Sequence, residues 1–210
     1  MSVPPDYACR SGEASRPLVA ISSCLLGESV RYNGEHQRAP VLLAELAPHV
    51  RWLSICPELE VGMGVPREPV HLVEPKHLGA ANATSACRMV GVETGRDWTR
   101  DMEQLTSTRL RDPELLEISG YIFKSRSPSC GVANVPLRTM EGAVVRQVAG
   151  LFAAAVKRRF SDIPLAEETD LVDQPSCRRF LERVLAHWRR HRPDHPGAGH
   201  TSAANRPAPQ

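Results

Sequence analysis

Three cysteines stand where chemistry is easiest to build. Cys24 lies in SSCLLG, Cys56 in SICPE and Cys130 in SPSCG. Each comes just past an apolar run that reads as a β-strand, beside serine, proline or glycine. In an open parallel sheet the carboxyl ends of the strands border the crevice where ligands bind. Cysteines separated by 32 and then 74 positions can therefore meet in one site. Any one of them alone would be read as a packing residue, the ordinary fate of a buried cysteine. Three at equivalent topological positions argue for a shared site. Cys9, Cys87 and Cys177 lack this setting and are read as non-ligands: they fall in a polar lead, a polar insert and a terminal helix.

Three thiolates restrict what can be bound. A closed structural zinc site takes four ligands, commonly from local C-x-x-C pairs, and the chain has no such pair. Three cysteines without an obvious fourth suit a [4Fe-4S] cluster that keeps one iron free of protein. An open iron is a Lewis acid able to take a substrate atom. Zinc held by three cysteines and water is the alternative left open by the residues themselves. The small residues around Cys130 allow backbone N–H groups to approach and stabilise a negatively charged cluster.

The elements that must position these cysteines alternate. Leu18 to Ser23 reads as a buried strand, Val41 to Val50 as a short amphipathic helix and Arg51 to Ile55 as the next strand. Val70 to Val73 is extended. Asp97 to Ile118 is helical over much of its length, capped by Asp97 and interrupted near Asp112-Pro113. Gly120 to Lys124 is a strand. Gly150 to Phe160 is a helix turning Leu151, Phe152 and Ala155 inward. The alternation predicts an α/β, Rossmann-like three-layer fold with a mainly parallel sheet and the site at the carboxyl ends of its strands. The expected divisions are a disordered lead at 1–16, the main domain at 17–165, a helical extension at 166–190 and a disordered tail at 191–210. The tail histidines are read as solvated, with at most an adventitious metal site among them.

Composition narrows the function classes. The chain has 210 residues and net charge +2, which argues against a general nucleic-acid coat. Its hydrophobic residues, 41%, can fill a core, but aromatics at 5% leave that task to aliphatics. No apolar run approaches the roughly 20 residues of a membrane span, and the start lacks an apolar signal core. A cytoplasmic protein is expected. Six cysteines are too sparse for a disulfide scaffold.

Four motifs, SSCLLGESVRYNG, CPELEVGMGVPREPVHLV, GRDWT and KSRSPSCG, resemble the TudS-like thiouracil desulfidase family, long a domain of unknown function. The resemblance covers roughly residues 17 to 160. PLAEETDLVDQPSCRRFLERVLAHWRR resembles the junction where longer members continue into a YbgA-like domain, so the chain reads as a shortened relative. The family implies a Rossmann-like fold, a [4Fe-4S] cluster on three cysteines and non-redox, hydrolytic removal of sulfur from thiolated uracil. Carried over residue by residue, the ligands are Cys24, Cys56 and Cys130, the acid/base is Glu58 and the assisting hydroxyl is Ser127. The family's D-V-T is D-W-T here, so Trp98 is a departure that can reshape the pocket.

The remaining candidates border these motifs. Arg31, Arg67 and Arg126 can bind a uracil carbonyl or a phosphate, or can form structural ion pairs. The arginines between Arg178 and Arg192 form a solvated helix face or an RNA contact. Two rival readings therefore accompany the desulfidase: a zinc-binding or structural-cluster module without catalysis, and a protein acting on thiolated tRNA. The expected substrate is a thiolated uracil base or nucleotide, and oligomeric state is not legible.

Overall fold

The computed structural model describes residues 15–75 and 87–191. The expected lead up to residue 14, Cys9 and the tail beyond His191 fall outside the described residues. β1 (Leu18–Ser22) is buried at every position, as the centre of a sheet covered on both faces requires. It pairs in parallel with β2 (Arg51–Ile55) on one side and β5 (Tyr121–Phe123) on the other. β8 (Leu165–Glu167) adds to β5, again in parallel, and completes the order β2-β1-β5-β8.

Side-chain alternation divides this sheet between two cores. Leu18, Ala20, Tyr121 and Phe123 face one, while Val19, Ile21, Ile122 and Ala166 face the other. The second core is closed by α2 (Pro40–Leu46) and α7 (Gln174–Arg190) through Leu42, Leu46, Phe180 and Val184. The first is closed by α4 (Thr99–Arg109), α5 (Pro113–Leu116) and α6 (Leu151–Arg159) through Met102, Leu115, Phe152 and Val156. The result is the expected three-layer α/β arrangement around a parallel sheet.

A second sheet was not foreseen. β3 (Val70–Val73), β4 (Arg88–Gly91), β6 (Val135–Arg138) and β7 (Val144–Val148) run in the order β4-β3-β6-β7. Only the β3/β6 pair is parallel. Leu72, Met89 and Leu137 carry this sheet into the first core. The helical stretch from Asp97 divides as expected, with Asp112 capping α5 by accepting from the Glu114 N–H at 3.0 Å. Asp97 lies one residue before the N-cap, Trp98, and accepts from the Thr99 N–H at 3.0 Å.

The C-terminal segment is part of the main body. The expected boundary between residues 165 and 166 falls inside β8. Asp173 and Ser176 form a reciprocal capping box that starts α7. The helix then lies so close to β5 that a Cβ on Gly120 would stand 2.8 Å from a Val184 methyl. Phe180 is almost fully buried there. Phe180→Ala is expected to lower stability by about 3–5 kcal/mol, measured from the shift in urea midpoint. A change within about 0.5 kcal/mol would mean that α7 is a detachable extension.

Candidate active site

The parallel strands deliver three loops to one edge. α1 (Ser23–Leu26) follows β1 directly and carries Cys24 in its first turn. Cys56 follows β2 directly and is the N-cap of the one-turn α3 (Pro57–Glu60), which places Glu58 just beyond it. Cys130 closes the turn that follows β5. All three line one cavity of about 340 Å³, with Glu58, Arg31, Arg67, Arg126 and Ser127 also in its wall. The predicted site residues are therefore brought together. Cys87 and Cys177 are not among the lining residues. Cys177 packs in the second core, with its Sγ 3.7 Å from the Leu171 carbonyl.

Glu58 is held from several sides. Arg67 donates to its Oε2 at 2.6 Å through one terminal nitrogen and at 3.2 Å through Nε. Ser129 and Ser127 hydroxyls lie 2.8 and 3.2 Å from Oε1. The ion pair is nearly enclosed, with the Arg67 and Glu58 side chains 6% and 13% exposed. Arg67 also donates to the carbonyls of Val30, at 3.0 Å, and Gly64, at 2.9 Å. Its place in the wall is thus that of a brace rather than a free cation. Ser127 Oγ additionally accepts from the Cys130 N–H at 3.2 Å and shapes the turn.

The Cys130 turn rests on α6. The Leu151 and Ala153 N–H groups donate to the carbonyls of Pro128 and Ser129, both at 3.0 Å, using donors that a helix N-terminus leaves free. A Cβ on Gly150 would stand 2.6 Å from the Ser129 carbonyl, so only glycine admits this approach.

Two adjacent carboxylates, Glu167 at the end of β8 and Glu168 just after it, complete the support, and neither was among the residues singled out from the sequence. Glu167 is buried and accepts from the Val132 N–H at 2.6 Å. Glu168 accepts from the Ser125 N–H at 2.7 Å and pairs with Lys124. Burial works to raise its pKa, but the bonds from Lys124 and Ser125 outweigh it and hold the carboxyl below its ordinary range. Adjacent glutamates at the end of a very short strand were the available signal.

The arginines differ. Arg126 is exposed, occupies the left-handed region at φ 59° and stands at the cavity wall. Arg31 lies 3.9 Å from Glu35 and beside the Tyr32 ring. Trp98 stacks under Arg96 at 3.5 Å and lines a neighbouring cavity with Arg67 and Met63.

The thiols themselves show what the site requires. Burial pushes the Cys130 thiol up to about 12, against hydrogen bonds from Ser129 and Ser22. Burial, followed by the nearby Cys56, pushes Cys24 up to about 11. Burial raises Cys56 as well. Three thiolates here need a strongly cationic partner. Thiolates around a single tetrahedral zinc stand about 3.8 Å apart, given Zn–S bonds near 2.3 Å. Three soft sulfur donors converging on one cavity suit an iron–sulfur cluster.

A family model described as 2-thiouracil desulfurase matches residues 19–168. The uncharacterized protein YbbK of Bacillus subtilis (strain 168) is 29% identical over 141 residues, covering 67% of this chain and 90% of that one. A solved [4Fe-4S]-dependent thiouracil desulfidase, TudS, superposes with a TM-score of 0.57 at 25% identity, covering 80% of this chain and 99% of the other.

Replacing Cys24, Cys56 or Cys130 by serine is expected to remove most of the iron bound under anaerobic conditions. The same change at Cys9, Cys87 or Cys177 should leave iron content nearly unchanged. Equal sensitivity at Cys87 would contradict the three-ligand arrangement.

Proposed function

The chain belongs to the 2-thiouracil desulfurase family, and from that membership we propose that it removes sulfur from a thiolated uracil, with Cys24, Cys56 and Cys130 holding a [4Fe-4S] cluster and Glu58 moving the proton. It is an enzyme of the iron–sulfur thiouracil desulfidase type. The observation that carries the residue assignment is the convergence of three cysteines and a clamped carboxylate on one cavity. When bound, the cluster supplies a soft Lewis acid suited to a thiocarbonyl sulfur.

The reaction needs no oxidant. Water adds to the ring carbon, the carbon–sulfur bond breaks, and the products are a carbonyl and hydrogen sulfide. Glu58 is the group placed to accept the proton of water and return it to the leaving sulfur. Arg67 fixes Oε2 and fills the space behind it. Ser127 and Ser129 set the direction of Oε1 and are positioned to relay a proton.

The substrate we favour is a free base or nucleotide. A cavity of about 340 Å³ suits a small ring. Arg31 and Arg126 offer donors for a ring carbonyl or phosphate. The tRNA reading relied on the arginines of α7, and none of its described arginines lines this cavity. Among the described residues, no helix is long and apolar enough to cross a membrane. A cytoplasmic setting remains our reading from the reduced cysteine chemistry.

Glu58→Gln is expected to lower thiouracil turnover by about 10²–10⁴-fold, because an amide cannot accept the proton. Gln also leaves Arg67 without its counter-charge, so iron is measured on the same samples. The paired variant Glu58→Gln/Arg67→Met removes that imbalance. Retained iron with lost turnover in the pair supports proton transfer by Glu58. Near-normal turnover in the pair would make Glu58 a structural partner only.

A further inference from the structure

A second group of ligating side chains lies away from the cysteine cavity, at the carboxyl end of α7. We propose that Asp162, His187 and His191 form a binding site for one divalent transition metal of the zinc class. The inference does not depend on the function proposed above.

The geometry is that of a coordination shell. His187 Nε2 and His191 Nε2 each stand 3.4 Å from Asp162 Oδ2. All three ligand atoms lie within 4.8 Å of one another. A charge-assisted hydrogen bond to a carboxylate is shorter, about 2.7–2.9 Å. Two atoms bound to one tetrahedral zinc at about 2.0–2.1 Å stand roughly 3.3–3.4 Å apart. The observed separations match the second case.

The chemistry of each group agrees. His187 and His191 are four residues apart and share one face of α7; their rings are stacked at 4.1 Å, so the two Nε2 lone pairs converge on one metal only after a ring turns about its side-chain torsions. His191 Nδ1 lies 2.9 Å from the His187 carbonyl. Donation there fixes the tautomer and leaves Nε2 with a free lone pair, an outer hydrogen bond typical of metal-bound histidine. His187 is buried, and its Nδ1 has no hydrogen-bond partner. Burial and then His191 lower the His187 pKa, while Asp162 works to raise it. Asp162 supplies the anion, and the carboxyl end of a helix favours a cation. Arg16, Arg51, Arg159 and Glu117 line the adjoining cavity. Asp162, His187 and His191 line the same cavity, so this net positive charge works against any cation there and Asp162 is its counter-charge; it favours water or an anion in the open position.

Such a metal would tie the end of α7 to the turn after α6. Zinc is titrated into the anaerobically prepared holoprotein against a chromophoric chelator, and the zinc X-ray absorption edge of the product is recorded. The expected result is one zinc per chain, a raised melting temperature and a shell of nitrogen and oxygen at about 2.0–2.1 Å without sulfur near 2.3 Å. His191→Ala and Asp162→Asn, both at exposed positions, should each weaken uptake at least about tenfold. The double change His195→Ala/His200→Ala should have no effect. A sulfur shell, loss of uptake in that double variant, or unchanged uptake in the Asp162 and His191 variants would overturn the proposal. So would a wild-type chain that takes up no zinc.

Discussion

The Arg67–Glu58 ion pair is the contact on which the site depends. Glu58 sits two residues past Cys56 and receives hydroxyls from the turn that carries Cys130. Arg67 reaches the Val30 carbonyl, in the loop that follows Cys24. One pair thus fastens all three cysteine loops. Because it is nearly enclosed, removing either partner leaves a buried charge uncompensated, at a cost of about 3–5 kcal/mol. Its role is to hold a geometry that three loops separated by dozens of residues would not keep on their own.

Around that pair the protein uses the ends of its elements economically. α6 gives its free N–H groups to the Cys130 turn, and the end of β8 with the residue after it gives that turn two carboxylates. Ser22, at the end of β1, accepts from the Lys124 N–H at the end of β5, at 2.9 Å. These bonds satisfy backbone donors that would otherwise be buried unpaired. They also leave the cysteine sulfurs in surroundings that disfavour bare thiolates. A site built this way favours a cationic occupant and holds protons without one.

Much of this was legible in the sequence, for local reasons. Cys24, Cys56 and Cys130 could be grouped because each follows an apolar run of parallel-strand character, and the topology places such ends together. Arg67 could be flagged but not placed, because its partners at Glu58, Gly64 and Val30 include one 37 residues away. The second sheet was missed for physical reasons. β6 carries Pro136, which argues against an interior strand, and β7 is exposed along most of its length. β8 has three residues, too few to show a period, so Glu167 and Glu168 read as loop acids. Their function comes from pairing with β5, a long-range event.

The central claim is that three cysteines on one sheet edge hold a cluster with one iron available to sulfur. Mössbauer spectroscopy of the anaerobic protein loaded with isotopically enriched iron tests it most directly, before and after a thiouracil is added. The account predicts about four irons per chain, one distinct from the other three and altered by the thiouracil. A colourless protein holding a single zinc, or four equivalent irons indifferent to the thiouracil, would contradict it.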